Sequence, residues 1–392
     1  MKKEHQFSVI LVLGTTQTLA WASSYYLPAI LADPIAHDLG ISSNWFFAAF
    51  SASLVISGLL GPHVGRQIDL VGGRGVLCVS NIVLAAGLAL LGAATSIWMM
   101  GGAWILLGLG MGLGLYDAAF AALGRIYSDG ARKAITGITL LAGFASTIGW
   151  PLSSFGLDHL GWRHTCFAWA AAHLIIGLPL NLLLPPTDRP THAQASGIKP
   201  QIPIDRTMML LAFAFAAAWT VTAAMAAHLP RIVEAFGATP AQAVFAGAMI
   251  GPAQVAARIA EAGFLRRYHP LVSTRLACVS HPIGACLIGF LGGGGAALFA
   301  LLHGAGNGIL TIARGTLPLA IFGPENYGYR LGLLGAPSRI CQALAPLGFG
   351  LLIEILGGKV LIISSLLSLG ALVALLLLNI SRPSSNETQF NP

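Results

Sequence analysis

Four ionisable side chains lie inside apolar stretches of the sequence, where a charged group is energetically unfavourable. They are Asp117, Arg258, Arg314 and Arg339. A charge at the centre of a bilayer costs at least about 2.5–3.5 kcal/mol, so each one marks a candidate solute or ion pathway if these stretches span a membrane. The pattern therefore predicts that buried charges take part in solute binding or in gating.

Asp117 and Arg314 occupy similar places in the two halves of the chain. Asp117 follows the glycine run GLGMGLG at 108–114, and Arg314 follows GAGNG at 304–308. Three interpretations stay open at this point. The two residues form an ion pair that closes a gate between two domains, or Asp117 is the carboxylate that carries a coupled proton, or the pair is only structural.

Arg258 is a candidate for binding an anionic solute. Its planar guanidinium can hold a carboxylate by two parallel hydrogen bonds, and it follows Gly251-Pro252, where a helix can bend. The alternative is an ion pair with Glu261, three residues along the same helix face. That alternative is favoured by a repeated pattern: Arg66, Asp69 and Arg74 recur as Arg258, Glu261 and Arg266 at one offset of 192.

Further polar and aromatic side chains lie deep within apolar runs and are expected to face a cavity that holds a solute. In the first run these are Thr16, Gln17, Trp21, Ser24 and Tyr25, and later runs add Trp219, Thr220, His228 and Asn307. Small-residue packing, with hydroxyls bonded to their own helix, is the alternative. For His173, His281 and His303, a buried and hydrogen-bonded imidazole is preferred over a proton relay.

The composition places these residues in a membrane. The chain has 392 residues, of which 56% are hydrophobic and 9% are charged, and its mean hydropathy is +0.77. Soluble domains carry about 25% charged residues. The five cysteines show no paired spacing, so neither a zinc site nor a disulfide framework is expected.

The sequence predicts an all-α membrane protein with twelve transmembrane helices, each needing about 20 apolar residues. The predicted spans are 7–32, 43–62, 76–94, 97–122, 134–156, 165–184, 207–230, 242–264, 276–292, 296–320, 331–353 and 360–379. A polar, proline-containing linker at 185–206 separates a first six-helix bundle, 1–184, from a second, 207–392. The first span is too long for a cleaved signal peptide and is expected to remain in the protein.

The distribution of Lys and Arg predicts that both termini and the linker are cytoplasmic. With that orientation the opposite side carries Arg163, Arg231 and Lys359, and all remaining Lys and Arg outside the spans face the cytoplasm. The net charge of +7 then reflects a basic surface against anionic lipid and requires no nucleic-acid partner.

The two predicted bundles resemble each other in sequence. Besides the two glycine runs, Pro151 corresponds to Pro346, YLP at 26–28 to HLP at 228–230, and Gly61-Pro62 to Gly251-Pro252, all in the same order. An internal repeat of this kind is typical of transporters that work by alternating access.

The segment GRQIDLVGGR at 65–74, between the second and third spans, resembles the signature loop of the major facilitator superfamily. The matching positions are Gly65, Asp69, Gly72 or Gly73, and Arg74, while Leu70 stands where the family has a basic residue. With the twelve spans and the repeat, the resemblance covers the whole chain. It implies two pseudo-symmetric six-helix bundles, a cavity lined by spans 1, 4, 7 and 10, and a loop that latches one bundle to the other.

Within that superfamily the sequence resembles bacterial monocarboxylate and oxalate-formate carriers in its intramembrane arginines and in the YLP segment that ends the first span. The resemblance implies that Arg258 in span 8 binds the carboxylate of the substrate and that Arg339 in span 11 is a second cationic contact. A hydrogen bond from Arg339 to a carbonyl is the alternative for that residue. Three intramembrane arginines also suit an organic anion.

We therefore expect a secondary active transporter that moves a small organic anion, such as a monocarboxylate, by alternating access. The alternative is efflux of a toxic drug or metalloid species by the same fold. Cys341, near Arg339, is the residue that could touch a metalloid. Neither an ATP-binding GxxxxGK[ST] loop nor a set of catalytic residues is found, so no enzymatic activity is expected. The expected partners are a small solute, with or without a coupled proton, and the lipid of a bacterial inner membrane. A monomer is expected, without cofactor, metal or nucleic acid.

Overall fold

A computed structural model describes residues 3–186 and 201–378, called here the first half and the second half. Helices make up nearly all of both halves. In the first half they are α1 Lys3–Ser23, α2 Pro28–Asp38, α3 Ser43–Val71, α4 Gly73–Gly92, α5 Ile97–Gly114, α6 Tyr116–Tyr127, α7 Ala131–Ala142, α8 Ala145–Ala172 and α9 Leu178–Leu182. In the second half they are α10 Arg206–Glu234, α11 Pro240–Gly263, α12 Pro270–Leu291, α13 Ala296–Phe322, α14 Tyr327–Leu356 and α15 Val360–Leu376.

Eight helical stretches among the described residues are long and apolar enough to cross a membrane. The prediction of an all-helical membrane protein is thus confirmed, whereas the count of twelve is not fixed by length and composition. Three stretches run for 50 residues or more, namely Ala131–Leu182, Pro270–Phe322 and Tyr327–Leu376. Helix α1, which carries Gln17, is not among the eight.

Each of those three long stretches contains a glycine whose positive φ breaks the helix. The residues are Gly161 with φ 77°, Gly292 with φ 59° and Gly357 with φ 54°. A side chain with a Cβ adopts this conformation at a cost, whereas glycine does not. The chain therefore reverses or kinks at these points, within stretches of more than twice the length of one span.

Three other breaks lie inside the first half, and at each one a side chain donates to a backbone carbonyl near the break. At the junction of α5 and α6, Gln17 donates to the carbonyl of Gly114 at 2.6 Å. At the turn between α1 and α2, the indole of Trp150 donates to the carbonyl of Tyr26 at 3.2 Å. After α7, Arg258 donates to the carbonyl of Thr139 at 3.0 Å. Buried backbone groups require such partners, and broken helices at membrane depth occur where they line a cavity or protein.

The hydrophobic core of the first half is a single large cluster that also takes in residues of α13 and α14, among them Leu319, Tyr327 and Leu331. The second half has two separate clusters, one around Phe299 and one around Phe215. The interface between the halves is therefore continuous with the core of the first half. The boundaries predicted at 184–185 and 206–207 lie at the edges of the described ranges, and residues 187–200 and both chain ends fall outside them.

Candidate functional site

Helices α3 and α14 form the main interface between the halves, and small residues let their backbones touch. Gly61 lies against Gly332, and Gly65 lies against Gly328. Close helix approach at glycine is a common way to pack helices within a membrane. This contact sets the positions of Asp69 on α3 and Arg339 on α14.

The segment 65–74 is helical rather than an open loop, which differs from the sequence expectation. Helix α3 continues to Val71, α4 begins at Gly73, and only Gly72, with φ 85°, makes the turn. Arg74 is half-buried in the first turn of α4. The helix extends because its apolar positions, including the buried Val64 and Ile68, pack against the rest of the protein.

Asp69 binds the start of α14 in the other half. Its carboxylate accepts hydrogen bonds from the backbone N–H groups of Gly328 at 2.9 Å and Tyr329 at 2.8 Å. The first N–H groups of a helix have no partner within the helix and carry a partial positive charge, so a carboxylate stabilises them. Gly65 makes this approach possible because its backbone touches Gly328.

A second bond between the halves lies at the same end of the interface. Arg132, at the start of α7, pairs with Glu261 of α11 at 2.9 Å and donates to the carbonyl of Tyr268 at 2.9 Å. Glu261 therefore pairs with Arg132. The ion pair between Glu261 and Arg258 that the sequence offered as an alternative is not formed. We call the part of the interface that contains Asp69, Arg132, Glu261 and Gly328 the bonded end.

Asp117 and Arg314 are in direct contact across the two halves. Arg314 donates from Nε and Nη2 to the two carboxylate oxygens of Asp117, each at 2.6 Å. Asp117 lies in the first turn of α6, where the helix dipole favours an anion. The Arg314 guanidinium also lies 5.2 Å from the ring centre of Trp219, a residue predicted to face the cavity.

Arg339 lies beside this pair with weaker partners of its own. Its Nη2 is 3.8 Å from a carboxylate oxygen of Asp117, and its Nη1 donates to Gln342 at 3.3 Å. Its Nε is buried and has no hydrogen-bond partner among the described residues. Arg339 is only 3% exposed, so a guanidinium with incomplete bonding is held inside the protein.

Trp21 of α1 and Tyr25, in the turn after α1, lie beside Arg339 between the two halves, and Gln17 lies one helical turn before Trp21. The Trp21 ring centre is 5.8 Å from the Arg339 guanidinium, and the side-chain amide of Gln342 donates to the Tyr25 hydroxyl at 2.8 Å. Two more buried atoms lack a partner within the described part of the chain, the indole Nε1 of Trp21 and Oε1 of Gln17. The structure thus brings Arg339 of α14 next to Trp21 and Tyr25, which the sequence analysis proposed as part of a different group of residues.

An aromatic wall encloses the same place. The rings of Tyr25, Tyr26 and Tyr116 all lie within 4.9–6.1 Å of Trp21, centre to centre, and Phe50 is 5.7 Å from Tyr25. A small recess next to it is lined by Asp117, Arg339, Ser57 and Met111. Aromatic walls with a few polar groups are typical of solute sites.

Arg258 and Asn307 make their hydrogen bonds outside this cluster. Arg258 is buried and donates to the carbonyls of Thr139 and Gly308, at 3.0 and 3.4 Å. Asn307 accepts from Thr222 at 3.2 Å, and both line a recess inside the second half. Of the remaining polar candidates, Thr220 bonds within its own helix and His228 contacts the carbonyl of Pro346 at 2.7 Å.

Three contact residues were missed by the sequence reasoning: Gln342, Arg132 and Tyr116. Gln342 could have been found, because it stands three residues after Arg339 and so shares its helix face. No sequence signal marks Tyr116, and none marks Arg132 as the partner of Glu261.

The sequence profile of the Major Facilitator Superfamily matches residues 13–302, about three quarters of the chain. The chain belongs to the Major Facilitator Superfamily. The resemblance inferred from the segment 65–74 is confirmed, and this superfamily member is a membrane transporter of a small solute, not an enzyme. No curated protein sequence matches the chain.

Solved structures of three transporters are similar in fold to this superfamily member. The proton:xylose symporter XylE has a TM-score of 0.75 at 14% identity, with 96% of this chain and 95% of that chain covered. The human organic anion transporter MFSD10 has a TM-score of 0.68 at 16% identity, with 96% and 100% covered. FucP, in the outward conformation, has a TM-score of 0.71 at 14% identity, with 93% and 97% covered.

Proposed function

We propose that this protein carries a small organic anion across the membrane by alternating access, as a secondary active transporter. The observation that carries the proposal is an excess of positive charge at the centre of the interface. Two guanidiniums, Arg314 and Arg339, share one carboxylate, Asp117, and Arg314 holds both of its oxygens. A buried charge without full compensation is costly, and an anionic solute would supply the compensation.

The unpartnered hydrogen-bond donors at this centre could also bind an anion. Arg339 Nε–H and Trp21 Nε1–H are both donors without an acceptor in the described structure. The Tyr25 hydroxyl accepts from Gln342, which leaves its own hydrogen available. Three such donors beside an aromatic wall suit a carboxylate attached to an apolar or planar body.

In this proposal Arg339, Trp21, Tyr25 and Gln17 bind the solute, while Asp117 and Arg314 form a gate. The likeness to the human organic anion transporter is one of fold, so the proposal rests on the charges and donors of this chain. Assignment to the monocarboxylate or oxalate-formate type is a finer part of the same proposal. Arg258 and Asn307 remain candidates for solute contact after a change of conformation.

The architecture we propose has twelve spans in two six-helix bundles joined by the linker 185–206. It is supported by three described stretches that are each long enough for two crossings, with glycine breaks near their middles. Both termini would be cytoplasmic, in a bacterial inner membrane. The bonded end would then face the cytoplasm, and the molecule would be in a state closed on that side.

The experiment is counterflow in proteoliposomes with radiolabelled acetate, lactate, oxalate and benzoate. The variant is Arg339→Gln, and its matched control is Arg163→Gln, which removes a half-buried arginine that pairs with Asp38 at 2.7 Å and donates to the carbonyls of Gly92 and Ala94. We expect at least one carboxylate to exchange in the wild type and in the control. Loss of a charge-assisted hydrogen bond costs about 1.5–3 kcal/mol, so Arg339→Gln should lower exchange at limiting solute about 10- to 100-fold.

Exchange by Arg339→Gln at the wild-type rate would contradict the proposed site. Absence of exchange for every carboxylate in the wild type, with a thermal unfolding curve that shows a folded protein, would contradict the anion proposal. Efflux of toxic compounds would then be the function to test.

A further inference from the structure

A second buried polar cluster lies inside the second half, apart from the central site. His281 of α12 and His303 of α13 approach each other with 3.1 Å between their Nδ1 atoms. The other nitrogen of His281, Nε2, is 2.9 Å from the hydroxyl of Ser364 on α15. Both imidazoles are buried, with 4% and 5% of their surfaces exposed.

The hydrogen bonds of this cluster define where each proton lies. Ser364 donates to the carbonyl of Leu361 at 3.1 Å, so its oxygen accepts from His281 Nε2–H. A neutral imidazole carries one N–H, so His281 Nδ1 is then an acceptor and receives the Nδ1–H of His303. The Nε2 atom of His303 is consequently left with a free lone pair.

His303 faces a recess between α10, α12, α13 and α15. Its lining includes Thr222, Asn307, Cys278 and Ser368, and none of its lining residues is Asp, Glu, Lys or Arg. The titratable groups facing His303 are thus His281 and Cys278, both on α12. From α11, which also packs against α13 here, the apolar residues Ile250 and Ala253 lie against the neighbouring Gly304.

Protonation of His303 at Nε2 would break no existing bond, because Nδ1 continues to donate to His281. The buried carboxylates of the described interface differ in this respect. Asp69 accepts two backbone N–H groups, Asp117 accepts two bonds from Arg314, and Glu261 accepts from Arg132. A proton added to any of them would weaken a contact between the halves.

We propose that Nε2 of His303, oriented by His281 and Ser364, is a proton-binding site of this transporter and supplies the proton that moves with the solute. The coupling part rests on the proposed transport of an anion, whereas proton binding by the pair does not. Thr222, on the predicted cavity-lining helix α10, and Asn307 line the recess that His303 faces and bond each other at 3.2 Å. In the proposal this recess is where the proton and the solute influence each other.

The first measurement is ¹⁵N NMR of imidazole-labelled full-length protein in nanodiscs between pH 3 and pH 8. The variants are His303→Gln and, as a matched control, His173→Gln. His173 is a buried imidazole of the first half with both nitrogens bonded, to Ser23 at 2.7 Å and Asn81 at 2.8 Å. We expect one Nε2 signal with a pH-dependent shift that disappears in His303→Gln and persists in His173→Gln.

The second measurement compares two transport assays on the same variants, with radiolabelled lactate or whichever carboxylate of the panel exchanges. His303→Gln should keep counterflow at equal pH, which needs no net proton movement, and lose accumulation driven by a pH gradient at least about 10-fold. Ser364→Ala keeps both imidazoles and should lower that accumulation several-fold, because His281 loses its acceptor.

The proposal is overturned if no signal attributable to His303 titrates in the wild type. It is equally overturned if His303→Gln accumulates solute from a pH gradient as the wild type does. Should no carboxylate exchange in the wild type, the anion proposal fails while the NMR result still decides proton binding. If His303→Gln does not fold, the test uses the titration in the wild-type spectrum and the pH-driven accumulation by Ser364→Ala.

Discussion

Arg314 and Asp117 join the two halves of the transporter by a pair of parallel hydrogen bonds, each 2.6 Å long. Both side chains are largely buried, with exposed side-chain fractions of 5% and 20%. Removing one partner of a buried ion pair leaves an uncompensated charge and costs about 3–5 kcal/mol. We therefore predict that Asp117→Ala lowers the free energy of unfolding by about that amount, measured by denaturation in detergent.

The matched variant is the double substitution Asp117→Ala with Arg314→Met, which removes the stranded charge. It should recover most of the lost stability, because an apolar pair of similar volume often replaces a buried ion pair at little cost. Equal stability of the single variant and the wild type would show that the pair contributes nothing to this conformation.

Asp69 should hold the bonded end closed. Each hydrogen bond to a charged group contributes about 1.5–3 kcal/mol, so Asp69→Asn should raise the population open at this end by at least about 10-fold. Distances between spin labels at the exposed Val71 and Phe264 would report this opening. The control is Asp38→Asn, at an exposed ion pair with Arg163, and an unchanged distance distribution in Asp69→Asn would refute the latch.

Gly65 and Gly75 offer a matched pair of substitutions near the same turn. A Cβ at Gly65 would meet the backbone carbonyl of Gly328, whereas at Gly75 it would meet nothing within 4 Å. Gly65→Ala should separate α3 from α14 and lower the unfolding midpoint. Gly75→Ala should leave it unchanged or raise it, since alanine is favoured over glycine in a helix by about 1 kcal/mol. Equal effects of the two substitutions would contradict the close contact.

Arg258 and Arg339 should affect transport in different ways. Arg258 donates to the carbonyl of Thr139 at the end of α7, where a cation stabilises a helix terminus. Arg258→Gln should therefore change the opening of the halves and the maximal exchange rate, while Arg339→Gln should raise the half-saturating solute concentration. A large rise of that concentration in Arg258→Gln, with an unchanged maximal rate, would instead support direct solute binding by Arg258.

Much of this arrangement could be anticipated from the sequence. The spacing of Gly65 and Asp69 indicated the superfamily, and the glycine runs before Asp117 and Arg314 placed those two residues in matching positions. Apolar periodicity and composition predicted helices in a membrane. These inferences succeeded because they depend on short-range spacing and on the cost of charge in lipid.

The details of the central site could not be anticipated in the same way. Tyr25 and Gln342 are more than 300 residues apart, and their contact exists only because α3 and α14 bring the halves together. The segment 65–74 was expected to be a loop because it contains three charged residues and three glycines. The apolar positions Val64 and Ile68, which are buried and belong to α3, were not given weight. The bond between Arg132 and Glu261 likewise depends on how α7 packs against α11.

The most direct test of the anion site is equilibrium binding of the exchanging carboxylate to purified protein, compared between the wild type, Trp21→Phe and Arg339→Gln. Trp21→Phe keeps an aromatic ring and removes only the unpartnered indole N–H. The account predicts affinity about 10- to 100-fold weaker in Arg339→Gln and about 5- to 10-fold weaker in Trp21→Phe. Wild-type affinity in both variants, with folded protein, would place the solute elsewhere and contradict the central claim.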